Sequence, residues 1–276
     1  MSIRTMTRRL VAIAIFTAAA LSVGVSGANA AVVLDYDLSG VPNEAVATVA
    51  PTTVAPGLVA TDLTRGSGVV AKNLTRGFSS NDWATTTASR QNAIDTNEYY
   101  QFGFTVAPGA TVSLQQLDVA LRRSAIAAPM NYEWQYSLDG FATDGSTISV
   151  PGSPYYAAGA FTYFGRSSGG GGVADNYNYM TGSVSDQNAG NPMPPLDLTG
   201  ITDLQNIPAG STVDFRLYAW GDGTGATTNT VALGRNLGPQ ITGVAVPEPS
   251  TFALAGIGIS LAAVASYRRR RAKQTA

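Results

Sequence analysis

The sequence predicts an all-β fold: an antiparallel β-sandwich of jelly-roll type over residues 31–246, flanked by an N-terminal signal peptide and a single C-terminal transmembrane helix. Three observations predict it. Several segments alternate apolar and polar residues with period two, turn sequences fall between them, and no segment away from the two termini sustains a 3.6-residue apolar period. Charged residues make up 13% of the chain, against a typical ~25%, while Gly, Ser, Thr, Asn and Pro are plentiful. That composition suits short strands joined by tight turns.

The first element is the leader. "MSIRTMTRR" is a basic n-region, "LVAIAIFTAAALSVGVSG" an apolar h-region, and Ala28 and Ala30 place small residues before a cut between Ala30 and Ala31. The pattern is that of a secretory signal peptide, residues 1–30, with signal peptidase as the implied partner. The h-region is also long enough to serve as an uncleaved anchor. On either reading the basic residues stay in the cytoplasm and the chain that follows is exported.

The strands come next. In "EYYQFGFTV" Tyr100, Phe102, Phe104 and Val106 share a face opposite Gln101 and Thr105. "NYEWQYSL" aligns Tyr132, Trp134, Tyr136 and Leu138, and "STVDFRLYAW" aligns Val213, Phe215, Leu217 and Ala219 opposite Asp214 and Arg216. In "TVSLQQLDVALRR" the alternation changes phase between Leu114 and Leu117. A one-residue β-bulge near Gln115 and Gln116 absorbs such a shift. Turn signals stand at 107–109 ("APG"), at 139–140 and 144–145 ("DG"), and at 208–210 ("PAG"). Two stretches interrupt the pattern: "RSSGGGGVADN" at 166–176 and the Pro-rich "DQNAGNPMPPLDL" at 186–198, both expected as long loops open to a ligand. Segment 31–56, rich in Val, Ala, Thr and Pro, fits either a first strand or a linker. "LTRG" recurs once, at 63–66 and 74–77, which makes no repeat architecture.

The last element is the tail, "VPEPSTFALAGIGISLAAVASYRRRR". Thr251 to Tyr267 is a run of 17 residues without charge. As a helix it covers roughly 25 Å, a little short of the ~30 Å hydrocarbon core. Tyr267 and the stems of Arg268, Arg269, Arg270 and Arg271 are suited to closing that gap by snorkelling, and the arginines act as the membrane-anchor stop. The alternative, a buried core helix, rarely abuts such a basic run. Residues 31–246 hold nine Lys and Arg against seventeen Asp and Glu, a net charge of about −8, although the whole chain reads −1. A domain of that sign has no electrostatic reason to bind nucleic acid or an anionic surface.

Val-Pro-Glu-Pro-Ser at 246–250, the short apolar run and the Arg cluster together resemble the PEP-CTERM sorting signal of Gram-negative bacteria. The resemblance covers 247–276 and implies an exosortase, a membrane-embedded processing enzyme, as partner, with Pro247, Glu248 and Pro249 as the recognised motif. It also implies an exported protein of the cell envelope, cell surface or extracellular space, held at least transiently in the inner membrane of a species that makes exopolysaccharide. "GLVATDLTRGSGV", "NEYYQFGFTVAPGATVSLQQLDVALRRS", "YSLDGF" and "VDFRLYAWG" are similar, in order, to an ectodomain that recurs among such proteins. That similarity supports the sandwich and implies no chemistry.

Residue chemistry narrows the function. The chain has no His and no Cys. This removes Ser-His-Asp and Cys-His catalysis, imidazole bases and the usual zinc and iron sites, and it leaves no disulfide. Carboxylate chemistry remains open. Asp35 and Asp37 lie two apart on the first expected strand, and Asp95 and Glu98 precede another; glycosidases use carboxylate pairs about 5–10 Å apart. Asp139 and Asp144 in "DGFATDGST" and Asp222 in "GDGTG" offer oxygen ligands for calcium, without the spacing of an EF-hand. Asp-Gly is first of all a turn dipeptide. Tyr132, Trp134 and Tyr136 read as sandwich core ahead of a sugar-stacking platform. Gly169 to Gly172 lacks the strand, helix and Lys-Ser/Thr of a phosphate loop. No cofactor is expected. The leading expectation is therefore a non-enzymatic surface or matrix protein. A lectin-like module for exopolysaccharide, using Tyr155, Tyr156, Tyr163, Tyr177 and Tyr179 near the long loops, is the alternative, and a polysaccharide-cleaving enzyme the third.

Overall fold

The computed structural model describes residues 30–41, 45–73, 77–83, 90–123, 129, 131–148, 156–157, 161–163, 191–193, 195–220, 230–234 and 237–247. Among these residues the regular secondary structure is almost entirely β, and every strand pair is antiparallel. Residues 1–29, the apolar run 251–267 and the basic tail lie outside the described residues. The described residues from Ala31 to Pro247 belong to one compact unit.

The aromatic strands make the centre of the largest sheet. Strand β10 (Asn131–Ser137) pairs with β16 (Thr212–Trp220), which pairs with β7 (Tyr99–Val106). Beyond β10 come β13 (Phe161–Tyr163), β12 (Tyr156–Ala157) and the short β11 (Ser146–Thr147); beyond β7 come β3 (Leu58–Ala60) and β4 (Thr64–Arg65). The period-two reading holds on this sheet. Tyr100, Phe102, Phe104, Val106, Tyr132, Trp134, Tyr136, Val213, Phe215, Leu217 and Ala219 are all buried on the core face. Leu138 is the exception, at 45% exposure. The strand ends at Ser137, whose hydroxyl accepts the amides of Asp139 and Phe141 and turns the chain outward one residue too early for Leu138. The second "DG" pair, 144–145, belongs to the same β10–β11 connection and makes no turn of its own.

The opposite face of this sheet is not solvated at its centre. Glu133, Gln135, Asp214, Tyr218 and Trp220 are buried there too. A six-residue helix, α1 (Arg90–Asp95), lies against β16, with Ala93 packed on Tyr218 and Trp220.

Two five-stranded sheets complete the core. One has the order β15 (Leu196–Asp197), β8 (Ala110–Asp118), β18 (Gln240–Pro247), β1 (Ala31–Asp35), β2 (Thr53–Val54). The other runs β14 (Asn191–Pro192), β9 (Ala120–Arg123), β17 (Val231–Leu233), β6 (Phe78–Asn81), β5 (Val70–Ala71). They are successive halves of one interrupted layer. β8 and β9 are separated by Val119 alone, and the matching neighbours follow in the same order. Backbone hydrogen bonds cross the break, from Met193 to Val119 (2.8 Å), Ala120 to Leu237 (2.8 Å) and Gly234 to Ala120 (2.7 Å). The Pro-rich stretch expected as an open loop is therefore partly a strand pair: Met193, Leu196 and Leu198 are buried in the core.

The expected bulge is present. Gln116 pairs with Thr242 and Leu114 with Gly243, which leaves Gln115 as the extra residue. Its carbonyl accepts the amide of Leu198 (2.9 Å), so the unpaired group is satisfied. Val112 and Leu114 before the bulge, and Leu117 after it, all reach the core. Gly109 and Gly210 take the positive φ that the "APG" and "PAG" turns require. One apolar cluster joins all three sheets, and Phe102 is central to it. It stacks on Phe215 (5.4 Å between centroids) and meets Trp134 (5.9 Å) and Tyr36 (5.5 Å) edge-on. Each such buried ring contributes about 1.5–3 kcal/mol, which lets the fold hold without a disulfide.

Candidate functional site

The end of β18 is the first candidate, because the Pro-Glu-Pro string starts on it. Pro247 is the last residue of the strand and lies opposite Ala110; Glu248 and Pro249 fall outside the described residues. β1 runs antiparallel to β18 with Ala31 opposite Gly243. Ala31, the first residue after the expected signal cut, and Pro247 thus sit at the same end of one sheet. Segment 31–35 is a first strand rather than a linker. Ala28 and the arginines 268–271 lie outside the described residues.

The second candidate is an acidic cleft beside the β10–β11 connection. It has a volume of about 260 Å³ and is lined by hydroxyl and carboxylate side chains, among them Tyr136, Ser137, Asp139, Thr143, Asp144 and Asp203. Asp139 accepts hydrogen bonds from Ser137 Oγ (2.6 Å), Thr143 Oγ1 (2.7 Å) and the Ala142 amide (3.2 Å). Those bonds, Ser137 first, hold its carboxyl below the ordinary carboxylate range. Tyr136 donates its hydroxyl to Asp203 Oδ2 (3.1 Å), and burial pushes the phenol above its ordinary range. Asp203 comes from a 3₁₀ turn at Thr202–Leu204, 67 residues from Tyr136. Its place in this cleft was invisible to any local motif. Asp139 and Asp144, weighed as oxygen donors for calcium against a plain turn role, share the cleft, while Asp222 lies outside the described residues. Among the described residues no group of three acidic side chains is placed to hold a metal ion.

The other expected residues are put to local use. Asp35 ends β1 and accepts from Gln240 Nε2 (3.2 Å); burial raises its carboxyl above the ordinary range, and the neighbouring Asp37 adds to this. Asp37 lies beyond the strand and is exposed, accepting the Ser39 amide (2.8 Å) in a turn, so the two do not form the shared strand face expected of them. Asp95 accepts from Gln91 (2.8 Å) on the exposed side of α1, and the buried Glu98 accepts from Thr96 (2.8 Å). Tyr132, Trp134 and Tyr136 are core residues, as their alternation predicts. Tyr156 and Tyr163 lie on β12 and β13, while Tyr155, Tyr177, Tyr179, residues 166–176 and Gly169 to Gly172 fall outside the described residues.

A cation–aromatic stack on the outer face of the central sheet escaped the sequence reading. The Arg216 guanidinium lies 3.9 Å from the Tyr99 ring centroid and 4.0 Å from that of Phe141, and it donates to Gln101 (2.8 Å) and to the Tyr218 hydroxyl (3.2 Å). The rings are thus engaged with the protein's own cation.

No curated protein and no solved structure matches the chain. One family model does, over residues 245–271, and its description is the PEP-CTERM protein-sorting motif. The match begins two residues before Pro247, on the last turns of the β18 ladder, and runs to Arg271. The chain therefore carries a PEP-CTERM protein-sorting motif at its C-terminus, which implies an exported protein processed by an exosortase.

Proposed function

We propose that residues 31–246 form a non-enzymatic surface or matrix domain of jelly-roll type, made as a precursor with a cleavable signal peptide and a short membrane helix. The precursor is held at the inner membrane of a Gram-negative cell until an exosortase acts at Pro247, Glu248 and Pro249. The observation that carries this reading is the placement of the domain's two ends. Ala31 and Pro247 lie at one end of the same sheet, so tethers before and after the domain reach one membrane without crossing it. The two-layer antiparallel arrangement around one core supports the jelly-roll reading. The carboxylates support a display role as well. Asp139, Asp35, Asp95 and Glu98 each serve a neighbouring loop, helix or strand.

A second reading has its own observation. The cleft of Tyr136, Asp139, Asp144 and Asp203 presents several oxygens to solvent, the kind of lining that hydrogen-bonds sugar hydroxyls. On that reading the domain retains the cell's own exopolysaccharide.

The test uses the full precursor in a host that carries an exosortase. Wild-type chain leaves the membrane fraction as a shortened form, and Glu248→Ala holds it there at precursor length. Release of the Glu248→Ala chain at the wild-type rate defeats the sorting reading. The released wild-type form is then incubated with the host's exopolysaccharide; saturable binding, competed by a defined sugar, favours the second reading over plain display.

A further inference from the structure

β18 enters the sorting motif without a linker, and its final residues are still rungs of a ladder. Gly243, Val244, Ala245, Val246 and Pro247 lie opposite Leu114, Ser113, Val112, Thr111 and Ala110. On the far side of β8, Val112 exchanges both backbone hydrogen bonds with Ile207 (3.1 and 2.8 Å). Backbone groups alternate in direction along an antiparallel strand. Thr111 and Ser113 therefore face β18 and exchange bonds with Val246 and Val244. Pro247 falls at a non-hydrogen-bonded position, opposite an Ala110 whose own amide is given to Ala107. A proline costs the ladder nothing there, because its nitrogen points away from β8.

The other edge of β18 differs along its length. Gln240 to Gly243 are held on both sides, by β8 and by β1. From Val244 onward, among the described residues, β8 is the only partner. Val246 is 48% exposed, so little apolar surface opposes its release. The strand has a firmly held half and a lightly held half, with the change at Gly243. Elements with few buried contacts open locally at low cost.

A processing enzyme takes its substrate as an extended strand, which requires backbone on both sides of the motif to be accessible. We propose that the rungs Val244 to Pro247 are a latch: the exosortase reaches the motif when this end of β18 peels from β8, and the ladder sets how often it does so. The proposal rests on the sorting reading above and adds to it a dependence of processing on the folded state of the domain.

The test is a pulse-chase of the full precursor in an exosortase-carrying host. Thr111→Cys with Val246→Cys places a disulfide across opposed residues away from the core, in a chain with no other cysteine. When oxidised, this variant is processed more slowly by roughly tenfold or more, equivalent to about 1.4 kcal/mol of added opening cost, and reductant restores the rate. Six Gly and Ser residues inserted between Val246 and Pro247 move the motif off the ladder and speed processing above wild type. Equal rates for the oxidised and reduced forms, with Glu248→Ala still blocking, overturn the latch and leave the sorting reading intact. Unimpeded processing of Glu248→Ala overturns the sorting reading, and the latch with it.

Discussion

Glu133 stands on the face of β10 opposite the aromatic core, where alternation alone places a solvated carboxylate. It is 1% exposed. Arg90 Nε and Nη2 bind its two oxygens at 2.6 and 2.8 Å, with Gln135 Nε2 (2.6 Å) and Thr147 Oγ1 (2.8 Å) completing the shell. The carboxylate in turn raises the Arg90 guanidinium above its ordinary range. Arg90→Ala leaves that charge buried without its cation. The expected loss is about 3 kcal/mol, the low end for a broken buried pair, because the Arg90 side chain is 31% open to water. Urea unfolding of the variant measures it; an unchanged midpoint shows that the rest of the shell suffices. Asp214, on the neighbouring strand, makes the converse case. Burial raises its carboxyl above the ordinary range, against the opposing pull of Arg216 and a hydrogen bond from Gln101. Between the unfolded value of about 3.9 and the raised folded value, the native state binds more protons than the unfolded one. Stability from this group therefore falls as pH rises through that window and is recovered below it. Wild type should gain on Asp214→Asn as pH drops from 7 toward 4, and a difference in urea midpoint that stays constant over that range removes the argument.

Elements show which parts of the fold a sequence displays. The bulge at Gln115 was legible because a phase change in period-two alternation has one cheap structural solution. Its partner strand confirms the geometry at Gly243, where a Cβ would come 2.4 Å from the Ser113 carbonyl oxygen and 3.2 Å from Leu114 Cα. Both neighbours are backbone and cannot swing aside. Gly243→Ala should therefore cost roughly 1–3 kcal/mol as overpacking, read as a lower melting temperature; a neutral result places slack in the bulge. Helix α1 was not legible, since six residues complete fewer than two turns and show no period. The strands β14 and β15 were hidden by the prolines among them; Pro192 sits on an edge strand, where a missing amide is tolerated. The buried outer face of β10 and β16 was hidden for another reason. Its residues are polar or aromatic, and among the described residues it is α1 and the β10–β11 connection that pack over them. The sorting string was legible because all its parts are contiguous, whereas the cleft unites Asp139 with an Asp203 that no local pattern associates with it.

At the scale of the whole molecule, charge and topology agree. All the acidic residues lie between the two basic clusters, and all but Glu248 lie within residues 31–246, while Arg268 to Arg271 follow directly on the apolar run. Ala31 and Pro247 lie at the same end of one sheet, on neighbouring strands, so on the proposed export route whatever holds the C-terminal side holds the domain close to the surface that its N-terminal side came from. On the proposed anchoring, the arginine cluster is the element on which retention turns. The 17-residue run is slightly short for a hydrocarbon core, and an insertion of that length is weakly favourable without anchors. Carrying an arginine to mid-membrane costs roughly 2.5–3.5 kcal/mol, so four in succession form a strong stop against translocation. With Arg268 to Arg271 all replaced by Gln, the stop weakens while the folded domain, which ends before them, is untouched. In a host lacking the exosortase, wild-type precursor should stay with membranes through an alkaline carbonate wash. The four-fold variant should shift to the soluble exported fraction with its melting temperature unchanged. A variant that remains carbonate-resistant assigns retention to the apolar run alone, and the arginines then serve recognition by the processing enzyme, which processing rates in an exosortase-carrying host would display directly.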